Sequence, residues 1–369
     1  MLDHLKFSGK SLINLDENVN SRLEKLIISE VFFTCINNNI YLSSTLKGVV
    51  QFRKKQGEVN IICEQLAECY LDSGLIIPPF TIFKAIYKMP AFSKFVRSDN
   101  SFDLDFDTSF LDATPFLDED DVFDHLKKIL SRDLEKEKLD KIVCTLSGGA
   151  DSAVLLSLLI SAVSHDKIDT LCCKMPGLDG EHQKAEKIAA HCKVKFTTYS
   201  PEAVNPKGMI KRYVENYQNL IFDPVVPVIS EMMEKYREGT QGQAICLVEG
   251  QGADTVLYGL PHAFTLAVYQ LGFSPIFRLL SNIFPSPTDR MRRKSRFFYR
   301  VMKSVALLSE RTWQDSVFHA LDIHSLRGTH YYECYLKMLD FYFSSTNDRQ
   351  KALVLFFLQI ISTRETQKY

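Results

Sequence analysis

The nine cysteines of this 369-residue sequence include no CxxC pair and none of the spacing of a small disulfide framework. That excludes a structural zinc site and a stapled secreted fold. The thiols, among them the adjacent Cys172 and Cys173, read as reduced and mostly buried. No HExxH or catalytic-triad context surrounds His182, His191 or His262, which read as surface or capping residues. The pattern GxxxxGK followed by Ser or Thr is missing too, so no lysine-bearing P-loop is present. The first ten residues, MLDHLKFSGK, contain no apolar h-region, and the longest apolar runs, Ala153 to Val163 and Ala352 to Ile361, are too short to cross a bilayer. A formal net charge of −1 gives no global basic field for nucleic acid or an anionic membrane. Low-complexity tracts and internal repeats are lacking. These absences predict a soluble, cytoplasmic protein without nucleic-acid or membrane partners.

What the sequence does contain is apolar material, 46% of its residues, enough for two sizeable cores. Two strand-like runs in VFFTCINNNIYLSSTL flank Asn37, Asn38 and Asn39 and predict a hairpin, because asparagine tolerates positive φ. A helix is expected over Gly57 to Leu71 and a strand over Ser101 to Phe110. The charged segment Leu117 to Lys138 predicts one amphipathic helix with Val122, Leu126, Leu130 and Leu134 on one face. Beyond it strands and helices alternate, with strands at Ile142 to Leu146, Asp169 to Lys174, Lys195 to Tyr199 and Ala244 to Val248. That alternation predicts an α/β fold, a parallel sheet with helices on both faces, preceded by a smaller strand-rich α+β part. Ligands of such sheets sit at the carboxyl ends of the strands.

Two glycine turns occupy such strand ends. In KIVCTLSGGADSAVLLSLLISAV, Lys141 to Val163, the turn SGGADS separates a buried-strand run from a helix that is apolar on nearly every face. Gly148 and Gly149 permit close backbone approach, Ser147 and Ser152 add hydroxyls, and the unpaired N–H groups of the new helix favour an anion. Asp151 has the wrong charge for phosphate, and a divalent cation such as magnesium resolves the conflict. The second turn, EGQGADTVLYGLPH, follows the strand Ala244 to Val248 and carries Asp254. If the two turns are neighbours, a cation between Asp151 and Asp254 could bridge one polyphosphate. The plain structural alternatives are a glycine turn at the first site and helix capping by Asp254 at the second.

SGGxDS at a strand-to-helix junction is the pyrophosphate loop of the N-type ATP pyrophosphatases. With the second turn added, the chain resembles the asparagine synthetase family in its synthetase domain. GQGADTVLYGL stands where that family has GEGxDExxxGY, and LCCKMPGLDGEHQKAEKIAAHCKV resembles the segment shaping its adenine pocket. FDPVVPVISEMMEKY, IYLSSTLKGVV and LAECYLDSGLIIPPFTIFKAIYKMPAF resemble further family segments, so the likeness covers most of residues 30–270. The resemblance implies ATP and Mg2+ as cofactors. Leu146 and Cys173 would line the adenine site, while Ser147, Gly148, Gly149, Asp151 and Ser152 hold pyrophosphate and Gly250 closes the far side. Asp151 and Asp254 would hold the metal, and Asp151, Asp254 and Gln251 would serve catalysis. The implied reaction joins a small-molecule or peptide carboxylate to ammonia or an amine through an acyl-adenylate.

The sequence also departs from the family pattern. Residue 2 is Leu2 where glutamine-hydrolysing members expose a cysteine, and only 146 residues precede Ser147. Cys35, Cys63 and Cys69 are internal and cannot put a free amine beside the thiol. Residues 1–116 are therefore expected to be a degenerate glutaminase-like (Ntn-type) remnant without glutaminase activity, and 117–369 a synthetase-type ATP pyrophosphatase domain. Gln251 and Thr255 replace two family acids, and Gln251 can hydrogen-bond but cannot act as a base. Those changes leave open a nucleotide-binding pseudoenzyme or a subunit of a modification complex. The tail LFFLQIISTRETQKY lacks the family's ExRxPF segment and lysine loop, although Arg364 occupies a DRxxM-like position. Either the fold is shortened or a protein partner completes it, and the apolar face of Leu353, Phe356, Phe357 and Ile360 is the surface such a partner would be expected to meet. The basic run Arg290 to Arg300 reads as a solvated or phosphate-facing surface, and the aromatic-rich segment around Tyr331 to Phe343 as helical core.

Overall fold

The computed structural model describes residues 6–8, 11–15, 31–98, 101–106, 118–174, 179–201, 206–217, 225–250, 262–284, 295–346 and 348–364. Two compact units divide the chain, Met1–Leu111 with Asp254–Thr366, and Asp112–Ala253 with Gln367–Tyr369.

The first unit begins with β1 (Lys6–Ser8), β2 (Ser11–Asn14), β3 (Phe32–Ile36) and β4 (Asn39–Ser43), followed by α1 (Leu46–Lys55) and α2 (Glu64–Ser73). Three more strands follow, β5 (Tyr87–Lys88), β6 (Ser93–Ser98) and β7 (Ser101–Phe106). They form a four-stranded sheet ordered β2-β4-β3-β5 and a three-stranded sheet ordered β1-β7-β6. The expected hairpin is there: β3 and β4 pair antiparallel across Asn37 and Asn38, whose φ values are 48° and 59°. A two-residue connection with positive φ at both centres matches the twist of the strands it joins. The helix expected over Gly57 to Leu71 differs. Gly57 at φ 80° ends the turn after α1, which Thr45 caps by accepting from Gly48 N, and α2 begins only at Glu64.

Among the described residues, six helices from the carboxyl half belong to this unit: α8 (His262–Gln270), α9 (Ser274–Ile283), α10 (Arg296–Leu308), α11 (Trp313–Ala320), α12 (His330–Thr346) and α13 (Arg349–Arg364). They share a core with the strand-rich part. The fully buried Tyr335 of α12 donates its hydroxyl to Ile77 O at 3.0 Å and accepts from Ile77 N at 3.1 Å. The Tyr331 hydroxyl accepts from Cys63 Sγ at 3.0 Å. The aromatic-rich segment is core as expected, with Tyr332, Tyr335 and Tyr342 buried. One expectation is overturned. Leu353, Phe356 and Phe357 on α13 are buried within the unit, Phe356 lying 5.6 Å from the Phe318 ring, so the chain itself covers that face. Helix pairing supplied the neighbour that a one-dimensional pattern could not locate. The side chain of Ile360 lies outside the described residues.

The second unit runs α3 (Glu119–Lys136), β8 (Lys141–Thr145), α4 (Ala150–Ala162), β9 (Ile168–Cys173), α5 (Asp179–Cys192), β10 (Lys195–Tyr199), α6 (Pro206–Tyr217), α7 (Val226–Glu238) and β11 (Ile245–Val248). Asp118 caps α3 by accepting from Asp121 N at 2.8 Å. Its predicted face is buried unevenly: Leu134 and Leu130 join the core while Leu126 stays exposed. The sheet is parallel throughout, in the order β10-β9-β8-β11. Central β8 and β9 are buried on both faces and edge strands β10 and β11 only partly, which is why the central pair reads as near-continuous apolar sequence. Ile142, Cys144, Leu156, Leu159, Ile168 and Ala189 form the principal core. At the amino ends of the strands Asp169 is buried and accepts from Tyr236 OH at 2.7 Å, Lys195 Nζ at 3.0 Å and Lys141 Nζ at 3.3 Å.

Candidate functional site

The strand order puts both glycine turns side by side. β11 pairs in parallel with β8, Val248 opposite Cys144, so the chain leaves the two strands at the same end of the sheet. Leu146 N–H donates to Leu171 O at 2.8 Å while its side chain is buried in the core, which fixes the level at which SGGADS begins. Gly148 then adopts φ 75°. A Cβ there would meet Glu181 O at 2.6 Å and Lys184 Cβ at 2.9 Å, so the turn lies directly on the first turns of α5.

Gly149 is the N-cap of α4 and offers no side-chain acceptor to the helix. The two serines instead bond to the turn itself. Ser152 Oγ donates to Gly149 O at 3.2 Å and lies 3.2 Å from Ser147 Oγ, which accepts from Gly149 N at 3.3 Å. The buried Ser152 therefore holds the turn's shape, and the N-terminus of α4 carries its partial positive charge without a side-chain anion at the cap. Asp151 stands exposed in the first turn of the same helix. The second turn arrives from the other side: a Cβ on Gly250 would lie 3.4 Å from Asp151 Cβ and 3.5 Å from Ser152 N. Those are ordinary van der Waals distances, so the two backbones lie side by side at the amino end of α4. Gln251, Asp254 and Thr255 fall outside the described residues.

Cys173 ends β9, half-buried, and burial pushes its thiol up. All nine cysteines are free. Burial also raises the thiols of Cys35 and Cys172, each to about 11, and that of Cys144 to about 12. Such thiols are poor nucleophiles. His182 on α5 bonds through Nε2 to Thr198 Oγ1 at 2.8 Å, as expected of a surface residue.

One group was not singled out from sequence. Glu249 sits between β11 and Gly250, partly buried, and burial pushes its carboxyl above the ordinary glutamate range. The signal was available: it is the first ionisable residue after a strand end that opens onto a glycine turn. Among the described residues no cluster of three or more His, Cys, Asp or Glu is assembled as a metal site. Of the two aspartates expected to hold a cation, Asp151 is exposed at the first turn of α4 and Asp254 lies outside the described residues.

Among solved structures, the chain is similar to a glutamine-dependent NAD+ synthetase from Acinetobacter baumannii in complex with adenosine diphosphate. The identity is 10% and the TM-score 0.28, covering 58% of this chain and 49% of that one, so the chain spans about half of that protein's length. It is also similar to an NH3-dependent NAD synthetase from Campylobacter jejuni subsp. jejuni NCTC 11168 in complex with the nitrate ion. Here identity is 10% and the TM-score 0.29, covering 55% of this chain and 97% of that one. Neither likeness carries chemistry to this chain. No curated protein matches it. The asparagine synthase family model matches residues 125–359, well over half of the sequence and including both glycine turns. On that match, the chain belongs to the asparagine synthase family.

Proposed function

We propose that this protein is an ATP-dependent amide-bond-forming ligase of asparagine synthetase type. It activates a carboxylate as an acyl-adenylate, releases pyrophosphate and passes the acyl group to ammonia or an amine. The observation that carries this reading is the seat of Gly250 against Asp151 and Ser152, two turns converging from adjacent parallel strands on one glycine-capped helix N-terminus.

In this reading Ser147, Gly148, Gly149 and Ser152 cradle the ATP phosphates, and Leu146 and Cys173 border the adenine. Gly250, Gln251 and Asp254 close the opposite side. Asp151 and Asp254 would hold magnesium, which would supply neutralisation of the leaving pyrophosphate. A carboxylate oxygen attacks the α-phosphorus and pyrophosphate departs. The nitrogen nucleophile then attacks the acyl carbon, AMP leaves, and the nucleophile's proton passes to solvent or substrate. The chain's own contribution is orientation and charge placement. Gln251 donates a hydrogen bond but takes no proton. Residues 1–116 are read as a glutaminase-like remnant without glutaminase activity, its Cys35, Cys63 and Cys69 being internal. Nitrogen comes instead from free ammonia, a substrate amine or a partner protein.

Gln251 and Thr255, where the family carries acids, favour a second reading, a nucleotide-binding pseudoenzyme. Carboxylate-dependent exchange of labelled pyrophosphate into ATP separates the two. The ligase gives exchange that Asp151→Ala lowers by about two orders of magnitude or more, the scale of losing one preorganised charge contact. Tight ATP binding without exchange, across a broad panel of carboxylates, would replace it with the second reading.

A further inference from the structure

The turn SGGADS offers a polyphosphate helix N–H groups and hydroxyls, but its one ionised side chain is an acid, Asp151. A triphosphate keeps net negative charge even with one magnesium ion, so a cation from outside the turn would stabilise it there. Several cations of the same unit are committed elsewhere. Lys141 and Lys195 pair with Asp169 at the amino ends of the strands, Arg212 pairs with Glu231 at 3.1 Å, and Lys235 lies over the Tyr199 ring. Lys184 differs from these. It is exposed on α5 and makes no ion pair or hydrogen bond among the described residues. Its Cβ lies 2.9 Å from a methyl group placed on Gly148, the residue whose positive φ shapes the turn.

The root of this lysine is fixed by its neighbours. Ala185 and Ala189 are fully buried in the core that also holds Leu146, which sets the register of α5 against the turn. From Cβ, four bonds of about 1.5 Å carry the ammonium, a reach of about 5 Å that spans the turn. A strongly hydrated ammonium on a flexible stem meets phosphate as a point charge. We propose, on the ATP-binding reading above, that Lys184 is the chain's own cation for the pyrophosphate end of ATP, its ammonium closing over SGGADS from α5. It donates a hydrogen bond to a β- or γ-phosphate oxygen. As the bond between the α-phosphorus and the bridging oxygen breaks, the same charge offsets what gathers on the departing pyrophosphate, and no proton leaves the ammonium.

The test is isothermal titration calorimetry of the full chain, with magnesium present, against ATP, inorganic pyrophosphate and AMP. Lys184→Met keeps an unbranched stem beside Gly148 and removes the charge. It should retain the wild-type circular dichroism and melting temperature while the affinities for ATP and pyrophosphate fall about ten-fold or more. AMP affinity should stay as in the wild type, and Lys184→Arg should recover most of the loss. Unchanged ATP and pyrophosphate binding in Lys184→Met would overturn the role of Lys184 and leave the ligase reading standing. An equal loss of AMP affinity, or an arginine variant as weak as the methionine one, would overturn it too, by assigning Lys184 to the shape of the turn. Wild-type protein that binds neither ATP nor pyrophosphate would remove the ATP reading itself, and this role with it.

Discussion

A methyl group on Gly148 would lie 2.6 Å from the Glu181 carbonyl oxygen, and the φ of 75° is one that an L side chain disfavours. Gly57 has nearly the same φ, 80°, with nothing within 4 Å of a methyl added at that position, and so isolates the conformational term. Gly57→Ala is expected to cost about 1 kcal/mol. Gly148→Ala adds displacement of α5 from the turn and should cost about 3 kcal/mol or more, with ATP binding lost even where the protein remains folded. Denaturant midpoints for both variants, with nucleotide titration of the second, check this. An equal cost at the two positions would mean that contact between the turn and α5 is dispensable. The φ requirement was legible in sequence at Gly148, whereas Gly149 takes an ordinary extended φ of −84°. The packing of α5 on Gly148 was not legible, because the contact joins residues more than thirty positions apart.

Among the elements, β9 shows how a strand can stabilise the sheet at the end opposite the site. Burial raises the Asp169 carboxyl, but the Tyr236 hydroxyl and the Lys195 and Lys141 ammoniums outweigh it, so the group is held below the ordinary aspartate range. A depressed carboxylate contributes stability that is present above its unfolded pKa, about 4, and is lost as pH falls through the lower folded value. Thermal melts of the wild type should therefore drop steeply below about pH 4, and Asp169→Ala should flatten that drop while costing about 3 kcal/mol at neutral pH. A variant melt that keeps the wild-type acid slope would assign the sensitivity elsewhere. At this scale sequence served well for the parallel sheet. β8, β9, β10 and β11 each fall within one residue of the expected runs, because buried parallel strands leave short apolar blocks between helical segments. It served less well after the hairpin, where α1 at Leu46–Lys55 was not expected and the helix expected from Gly57 begins only at Glu64, since periodicity carries no record of the turn at Gly57.

At the scale of the molecule, the carboxyl-half helices belong to the core of the strand-rich unit. The sequence pattern placed a single division, at residue 116, and gave no sign that the chain returns at residue 254 to the first unit. Tyr335 embodies the return, its hydroxyl bonded to both polar groups of Ile77 in a fully buried setting. Tyr335→Phe leaves that N–H and C=O unsatisfied and should cost about 2 to 3 kcal/mol. The sole tryptophan, Trp313, is buried in the same unit, so its fluorescence reports the change directly. An unshifted fluorescence midpoint would show that water or a backbone adjustment replaces the lost bonds.

The sequence by itself determined what depends on neighbours along the chain: the hairpin at Asn37 and Asn38, the order of strands and helices, and the glycines that follow β8 and β11. Those features follow from φ preference and periodicity, which are local. Only the tertiary structure decided that β11 lies beside β8, that Gly250 closes on Asp151, and that α13 buries its apolar face within its own unit. Each of these is a contact between distant residues, selected by which surfaces the folded chain can bury together.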